Sequence, residues 1–211
     1  MEEAKFNNLC SHYKDSFDIH RKSIKQRDTL FYGLLLILSI FTLQLSSADV
    51  VATIVNEYVA KVSGVKIGNN LNFISTLMWL VLAGFSTRYF QVVVEIERQY
   101  DYLHSIENQL NSYYPDSSAF TREGKSYLSK YPLFSNWAWL LYTLFFPSLI
   151  ISSVIAKITD EIAAMNSIGF NQIIDFGCYL IIGTSSILYM YKLHEAGINS
   201  LGSRFIGLFR T

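Results

Sequence analysis

Residues 29–48, TLFYGLLLILSIFTLQLSSA, form a run of 20 residues without a charged side chain. A helix of about 20 residues is roughly 30 Å long, which is the thickness of a bilayer's hydrocarbon core. Three further apolar stretches of similar length follow, residues 70–94, 133–156 and 171–191. Only 16% of the 211 residues are charged, whereas soluble domains carry about 25%. The sequence therefore predicts an all-α membrane protein with four transmembrane helices.

Lys and Arg are unevenly distributed along the chain. Residues 1–28, 88–130 and 192–211 hold fourteen of the 17, and the two remaining segments, residues 49–69 and 157–170, hold three. Because cytoplasmic loops of membrane proteins are enriched in Lys and Arg, both termini are expected in the cytoplasm. Residues 49–69 are then an amphipathic segment at the outer surface, and residues 157–170 are an outer loop.

The first and second spans are each expected to continue as a helix into the cytoplasm. Residues 1–28, the stalk, contain a basic cluster and neither Gly nor Pro, and they lead directly into the first span. The second helix is expected to run on to residue 110, and its cytoplasmic part is acidic. Helices of opposite charge with continuous seams favour an antiparallel or crossing pair.

A seam with an unbroken 4-3 spacing follows the stalk into the first span. Such a spacing is typical of a helix packed against other helices. Because one chain offers few partners for so long a seam, we expect a homo-oligomeric bundle, with a tetramer as the first hypothesis. The seam consists of Phe6, Cys10, Tyr13, Phe17, His20, Ile24, Arg27 and Phe31.

The remaining cytoplasmic segments are shorter, and the third span contains a proline. Residues 111–132 are interpreted as a loop with a short helix, and residues 192–211 as an amphipathic tail. Pro147 lies in the middle of the third span, where a proline is expected to kink the helix.

Two sets of basic residues are candidates for binding a phosphate-bearing ligand, such as a lipid headgroup, a nucleotide or an oligonucleotide. The alternative for the first set is a topology signal that contacts anionic lipid, and for the second set it is packing against the stalk. Aromatic residues between the cations of the second set are suited to stacking on a base. The candidates are Arg21, Lys22, Lys25 and Arg27 in the stalk, and Arg122 and Lys125 in the cytoplasmic loop.

Polar residues in or beside the spans are candidates for a pore or gate. Gln44, in several copies around an axis, would line a pore; alternatively, it forms a hydrogen bond between helices of one chain. Asp175 would form an acidic ring at an outer mouth, or else reach the lipid headgroups. His20 lies in the seam where the stalk meets the membrane, and Ser46 and Ser47 complete the set.

The sequence offers no catalytic constellation. No Ser-His-Asp or Cys-His pair stands in a recognisable context, and neither a phosphate-binding loop nor paired carboxylates within the spans are recognised. His12, His20 and His104 lack the spacing of a metal site. We therefore expect neither an enzyme nor a bound metal or cofactor.

The basic stalk, the extension EIERQYDYLHSIENQL and the segment FTREGKSYLSKYPLFSNW resemble small four-span effectors of bacterial anti-phage defence systems. The membrane component of the Hailong system is the most similar in kind. The resemblance is one of architecture over the whole chain and carries no short motif. It implies an inner-membrane channel that depolarises the membrane during infection, controlled by an oligonucleotide that a partner nucleotidyltransferase makes.

These observations together predict a homo-oligomeric ion channel in a bacterial inner membrane, gated from the cytoplasm by a nucleotide or oligonucleotide. One alternative is a non-conducting scaffold that docks a cytosolic protein on residues 1–28 and 95–130. Another is a helical-bundle protein that handles lipids or solutes. Ion flux through the purified protein separates the channel from the scaffold.

Overall fold

The computed structural model describes residues 2–64, 71–114, 120, 132–163 and 169–208. Within these ranges all regular structure is helical, and four helical segments are long and apolar enough to cross a membrane. The prediction of an all-α chain with four candidate spans is confirmed. The elements are α1 (Glu2–Ser46), α2 (Ala48–Ser63), α3 (Leu71–Asn111), α4 (Pro132–Leu140), a π-helical turn (Leu141–Phe145), α5 (Phe146–Ala163) and α6 (Phe170–Leu208).

The chain divides into two compact units. The stalk unit comprises Met1–Thr29 and Gln91–Tyr142, and the span unit comprises Leu30–Phe90 and Thr143–Thr211. Helices α1 and α3 each contribute to both units. Each unit therefore contains one part of the α1–α3 pair.

In the stalk unit, α1 and α3 run antiparallel along the seam. Tyr13 donates a hydrogen bond to Glu107 at 2.9 Å, and the ring of Phe6 lies 5.2 Å from that of Tyr113. Residues later in α1 thus contact residues earlier in α3, as in an antiparallel pair. The buried residues of α3 that follow the predicted 3-4 spacing in this unit are Val92, Ile96, Leu103, Ile106 and Leu110.

Of the antiparallel and crossing pairs that the sequence allows, the structure shows the antiparallel one. This finding bears on the expected homo-oligomer. The seam residues of the stalk are buried or half-buried, because α3 of the same chain packs on them. No second copy is needed to cover this part of the seam. The expectation of a homo-oligomer therefore loses the support that it drew from a seam without a partner.

The core of the span unit is aromatic and aliphatic. Phe41 of α1 lies 4.9 Å from Trp79 of α3, and Trp79 lies 4.4 Å from Tyr179 of α6, measured between ring centroids. Ile150 of α5 and Ile182 of α6 are fully buried. All four long helices thus contribute to one core.

Large apolar side chains also remain on the outside of the span unit. Leu36 is 64% exposed, Phe176 is 61% exposed and Leu188 is 61% exposed. In water, an apolar surface of this kind promotes association or aggregation. The hydrocarbon core of a bilayer, in contrast, is as apolar as these side chains. The surface of the span unit is therefore that expected of membrane-spanning helices.

The third span, in which a kink is expected at Pro147, contains a π-helical turn at Leu141–Phe145, just before the proline. Proline has no N–H to donate to the carbonyl four residues earlier, and its ring clashes with that carbonyl. A wider turn just before the proline relieves this conflict. Pro147 itself is fully buried, and Thr143 within the turn is 2% exposed.

Two helices continue beyond the predicted ends of their spans. The third span is expected to end at residue 156, and α5 continues to Ala163, so the first half of the predicted outer loop is helical. Lys157 lies within 3.8 Å of Asp160 and 3.7 Å of Glu161, and such pairs stabilise a helical turn. Helix α6 likewise continues past residue 191 to Leu208.

Candidate functional site

A cluster of polar side chains lies at the end of the span unit where α1 and α5 end and α3 and α6 begin. Lys157 and Asp175 in this cluster are each only 5% exposed. Ionisable residues buried among membrane spans are costly, and they are commonly functional. We call the group the polar cluster; it consists of Ser75, Thr76 and Trp79 of α3, Lys157 and Glu161 of α5, and Asp175 and Tyr179 of α6.

Glu161 is the centre of the hydrogen bonding in the polar cluster. Its Oε1 accepts from Ser75 Oγ at 2.8 Å and from Trp79 Nε1 at 3.1 Å. Its Oε2 accepts from the hydroxyl of Tyr179. Lys157 Nζ lies 3.7 Å from Oε1. Three donors and one ammonium group surround this carboxylate, and its hydrogen bonds join α5 to α3 and α6.

Asp175 is bonded through only one of its two carboxylate oxygens. Thr76 Oγ1 donates to Oδ2 at 3.1 Å. Oδ1 is buried and has no hydrogen-bond partner among the described residues. Thr76 follows Ser75, and Tyr179 lies one turn after Asp175 on α6; Ser75 and Tyr179 both donate to Glu161, so Asp175 belongs to the same cluster. At 5% exposure, Asp175 is an interior residue of the span unit.

The polar cluster carries more negative than positive charge. Lys157 is its single ammonium group, whereas Glu161 and Asp175 are two carboxylates. Asp160 also lies near Lys157, but its side chain is 60% exposed and water can screen it. Removing an uncompensated charge from water costs several kcal/mol. The buried part of the cluster therefore favours one additional positive charge.

Gln44 of α1 lies at the same level of the span unit as Thr76. Phe31 contacts Tyr89, and Phe41, ten residues later on α1, contacts Trp79, ten residues earlier on α3. The two helices therefore pair in an antiparallel register, residue for residue. Continuing this register by three residues brings Gln44 level with Thr76, the residue that holds Asp175. Gln44 is 5% exposed, and its Oε1 has no hydrogen-bond partner among the described residues.

The position of Gln44 inside one chain bears on both of the predicted roles. At 5% exposure its amide is not on the outer surface, where copies of the chain would have to present it to a shared axis. Its acceptor oxygen also lacks the interhelical hydrogen bond of the alternative interpretation, as far as the described residues extend.

Ser46 and Ser47 mark the junction between α1 and α2 and lie outside the polar cluster's hydrogen bonds. Ser46 is exposed and donates to the carbonyl of Leu43 at 3.1 Å. The backbone of Ser47 donates to the same carbonyl at 2.8 Å. Both serines thus donate hydrogen bonds to a backbone carbonyl in the last turn of α1, which is a structural role.

His20 is buried in the stalk unit, at 1% exposure. Its Nδ1 lies 3.2 Å from Gln99 Oε1, and its ring packs edge-on against Tyr100 at 4.4 Å. Gln99 in turn donates to Ser23 Oγ at 3.1 Å. His20 is thus part of a polar layer between α1 and α3, as expected of a polar residue in a helical seam.

The predicted phosphate-binding residues of the stalk differ in their surroundings. Arg21, Lys22 and Lys25 are exposed, away from the face that packs on α3. Arg27 instead forms an ion pair with Asp28 at 2.7 Å and lies 5.5 Å from the centre of the Tyr142 ring. Arg122 and Lys125 lie outside the described residues.

Most of the polar cluster was missed from the sequence. Ser, Thr, Trp and Tyr are ordinary residues in a span, and Lys157 and Glu161 were assigned to a loop. One signal was available: Lys157 and Glu161, like Asp175 and Tyr179, are four residues apart and share a helix face. Sequence patterns do not reveal, however, which helices meet at those faces.

Chemically, the polar cluster presents acceptor oxygens and a negative charge in a buried setting. That combination suits a cation or a proton, and it repels an anion. Among the described residues, no group of three or more His, Cys, Asp or Glu side chains is arranged to hold a metal ion through those side chains alone. Comparison of the chain with protein-family models, with curated proteins and with solved structures finds no match.

Proposed function

We propose that this protein conducts ions across a membrane and is controlled through its cytoplasmic stalk. The observation that carries the proposal is the polar cluster, with Lys157 and Asp175 buried and Glu161 half-buried among candidate membrane spans. Charged groups are seldom retained in such a position unless they serve an ion, a proton or a substrate. Its negative charge favours cations over anions.

The stalk provides the means of control. Arg21, Lys22 and Lys25 are exposed on α1, and the same helix continues without interruption from Glu2 to Ser46. A phosphate-bearing ligand that binds these cations more tightly in one conformation shifts the population toward it. Helix α1 ends two residues beyond Gln44, so a change in α1 acts on the helix that carries one of the buried oxygens.

Homo-oligomeric assembly and a role in antiviral defence are further parts of the proposal. Both follow from the resemblance to small four-span effectors, with the bilayer, a second copy and a nucleotide or oligonucleotide signal as partners. In that setting, opening of the conducting path depolarises the inner membrane. The enzyme that makes the signal is then a further partner.

A non-conducting scaffold is the second candidate function. On the stalk unit, Ile19 is 54% exposed and precedes Lys22 by three residues on α1, and Tyr102 of α3 is 50% exposed. Apolar and aromatic side chains next to basic ones are common where proteins dock. Such a scaffold conducts no ions under any condition, which distinguishes it from the first proposal.

Substitution of Gln44 tests ion conduction directly. In liposomes that contain the purified protein and a potassium-sensitive or sodium-sensitive dye, Gln44→Leu is expected to lower the flux about tenfold, the effect of losing roughly 1.4 kcal/mol of ion stabilisation. Thr42→Val is the matched control, because Thr42 is exposed and its hydroxyl donates to the carbonyl of Leu38 in its own helix, at 2.9 Å. Equal flux in the wild-type protein and in empty liposomes would favour the scaffold.

Reversal of the stalk charges tests control from the cytoplasm. In the same liposomes, the probe is a short DNA oligonucleotide, and the triple variant Arg21→Glu, Lys22→Glu, Lys25→Glu is expected to lose the response of the flux to it. Loss of three cationic contacts removes most of the attraction to a polyanion. Native mass spectrometry should give the same oligomeric state for both proteins. An unchanged response in the triple variant would exclude these residues as the sensor.

A further inference from the structure

We infer that the polar cluster binds one monovalent metal cation of the sodium or potassium type, with Asp175 and Gln44 as its charged and neutral oxygen ligands. This inference deepens the proposed function and rests on it for the role of the cation as the conducted ion. Binding itself is argued from the two buried oxygens, their register and the charge of the cluster.

The first step is that the span unit contains buried acceptor oxygens without a hydrogen-bond partner among the described residues. Besides Asn56 Oδ1 on α2, they include Asp175 Oδ1 and Gln44 Oε1, in side chains that are each 5% exposed. A buried polar atom without a partner costs about 1–3 kcal/mol, and more when it is charged. A native protein rarely keeps two such atoms at one level unless something else completes them.

The second step is that both oxygens belong to the same level of the bundle. The contacts of Phe31 with Tyr89 and of Phe41 with Trp79 set the register of α1 on α3. That register brings Gln44 level with Thr76, and Thr76 is bonded to Asp175 at 3.1 Å. Two independent helices thus bring an amide oxygen and a carboxylate oxygen to the same depth.

The third step is the charge of the occupant. The ammonium group of Lys157 at 3.7 Å and three hydrogen-bond donors compensate the carboxylate of Glu161. The carboxylate of Asp175 then has no second ammonium group of the cluster to pair with. A single positive charge neutralises the buried group, whereas a divalent ion would leave it positive. Water would satisfy the two oxygens but would not supply the charge.

The fourth step is the type of ligand atom. Carboxylate, amide and hydroxyl oxygens are hard ligands, and they suit alkali and alkaline-earth ions rather than transition metals. Sites for divalent ions generally gather several carboxylates, and here Glu161 is engaged by Ser75, Trp79 and Tyr179. A monovalent alkali ion therefore fits both the charge and the oxygens of the site.

Cation-dependent stability of the full-length protein in detergent tests this inference without any flux measurement. The midpoint of thermal unfolding is followed by circular dichroism while NaCl or KCl replaces choline chloride at constant ionic strength. Because a ligand that binds only the folded state raises its stability, a saturable rise of the midpoint is expected with at least one of the two ions.

Variants then assign the rise to the site. Asp175→Asn is expected to abolish the cation-dependent rise, and Gln44→Leu to weaken the apparent affinity about tenfold. Glu195→Gln is the matched control, because Glu195 is a carboxylate of the same helix in an exposed pair with Lys192. It should retain the full rise with the wild-type affinity.

Three outcomes would overturn the inference. One is an unfolding midpoint that is the same in sodium, potassium and choline. Another is an unfolding midpoint that changes with pH but not with the cation, which would identify a proton as the occupant of the site. The third is a full rise in an Asp175→Asn protein that folds. Saturable binding in a protein that conducts nothing would support the site and contradict the proposed conduction, so the two proposals fail separately.

Discussion

Replacement of Lys157 by Met is expected to lower the free energy of unfolding of the protein in detergent by about 3–5 kcal/mol. Lys157 is 5% exposed and lies 3.7 Å from Glu161. Methionine fills a similar volume but supplies no charge, so the carboxylates of Glu161 and Asp175 lose the one ammonium group of the polar cluster. Breaking a buried pair on one side is costly because the remaining charge cannot return to water. Unfolding by sodium dodecyl sulfate, followed by circular dichroism, measures the change.

Lys192→Met is the control for this experiment. Lys192 has an ion pair with Glu195 that is shorter, at 2.9 Å, but both side chains are largely exposed. Exposed pairs contribute at most about 1 kcal/mol. A loss in Lys157→Met no larger than that in Lys192→Met would contradict the account of the polar cluster as a buried charge network.

Replacement of Trp79 by Ala is expected to cost about 3–5 kcal/mol in the same assay. Trp79 is fully buried between Phe41 and Tyr179, and its indole N–H also donates to Glu161 at 3.1 Å. The substitution therefore leaves a large cavity and removes one of the donors that hold the buried carboxylate. Trp79→Phe should recover most of the packing but not the hydrogen bond, and so fall between the wild-type protein and Trp79→Ala.

Trp137→Ala is the matched control, because Trp137 is 51% exposed. A tryptophan at the surface leaves no closed cavity when it is truncated, so its unfolding free energy should change by less than about 1 kcal/mol. Equal losses in the two alanine variants would show that the junction of α1, α3 and α6 is not the core of the span unit.

Several features of the fold were accessible from residue patterns. The spacing of Tyr13 and His20 in the stalk, and of Leu103 and Ile106 in the second long helix, predicted which faces would be packed. The structure confirms those faces and their antiparallel pairing. Helical periodicity is a local property, so a single sequence suffices to read it.

Other features depended on contacts between distant parts of the chain. The predicted outer loop begins at Lys157. The helix continues through this residue, which is 5% exposed and lies 3.7 Å from Glu161, a carboxylate that accepts hydrogen bonds from α3 and α6. Asp175 and Gln44 were recognised as unusual, but their interior position and their common level became evident only from the register of α1 on α3.

By itself, the sequence determined the helical class, the number of candidate spans and the packed faces of the long helices. These properties follow from local composition and from the repeat of apolar residues along one helix. Only the tertiary structure decided that the seam of the stalk is covered by α3 of the same chain. It also decided that Lys157, Glu161 and Asp175 form one buried cluster. The physical reason is that the cost of a buried charge depends on which opposite charges and donors other helices bring to it.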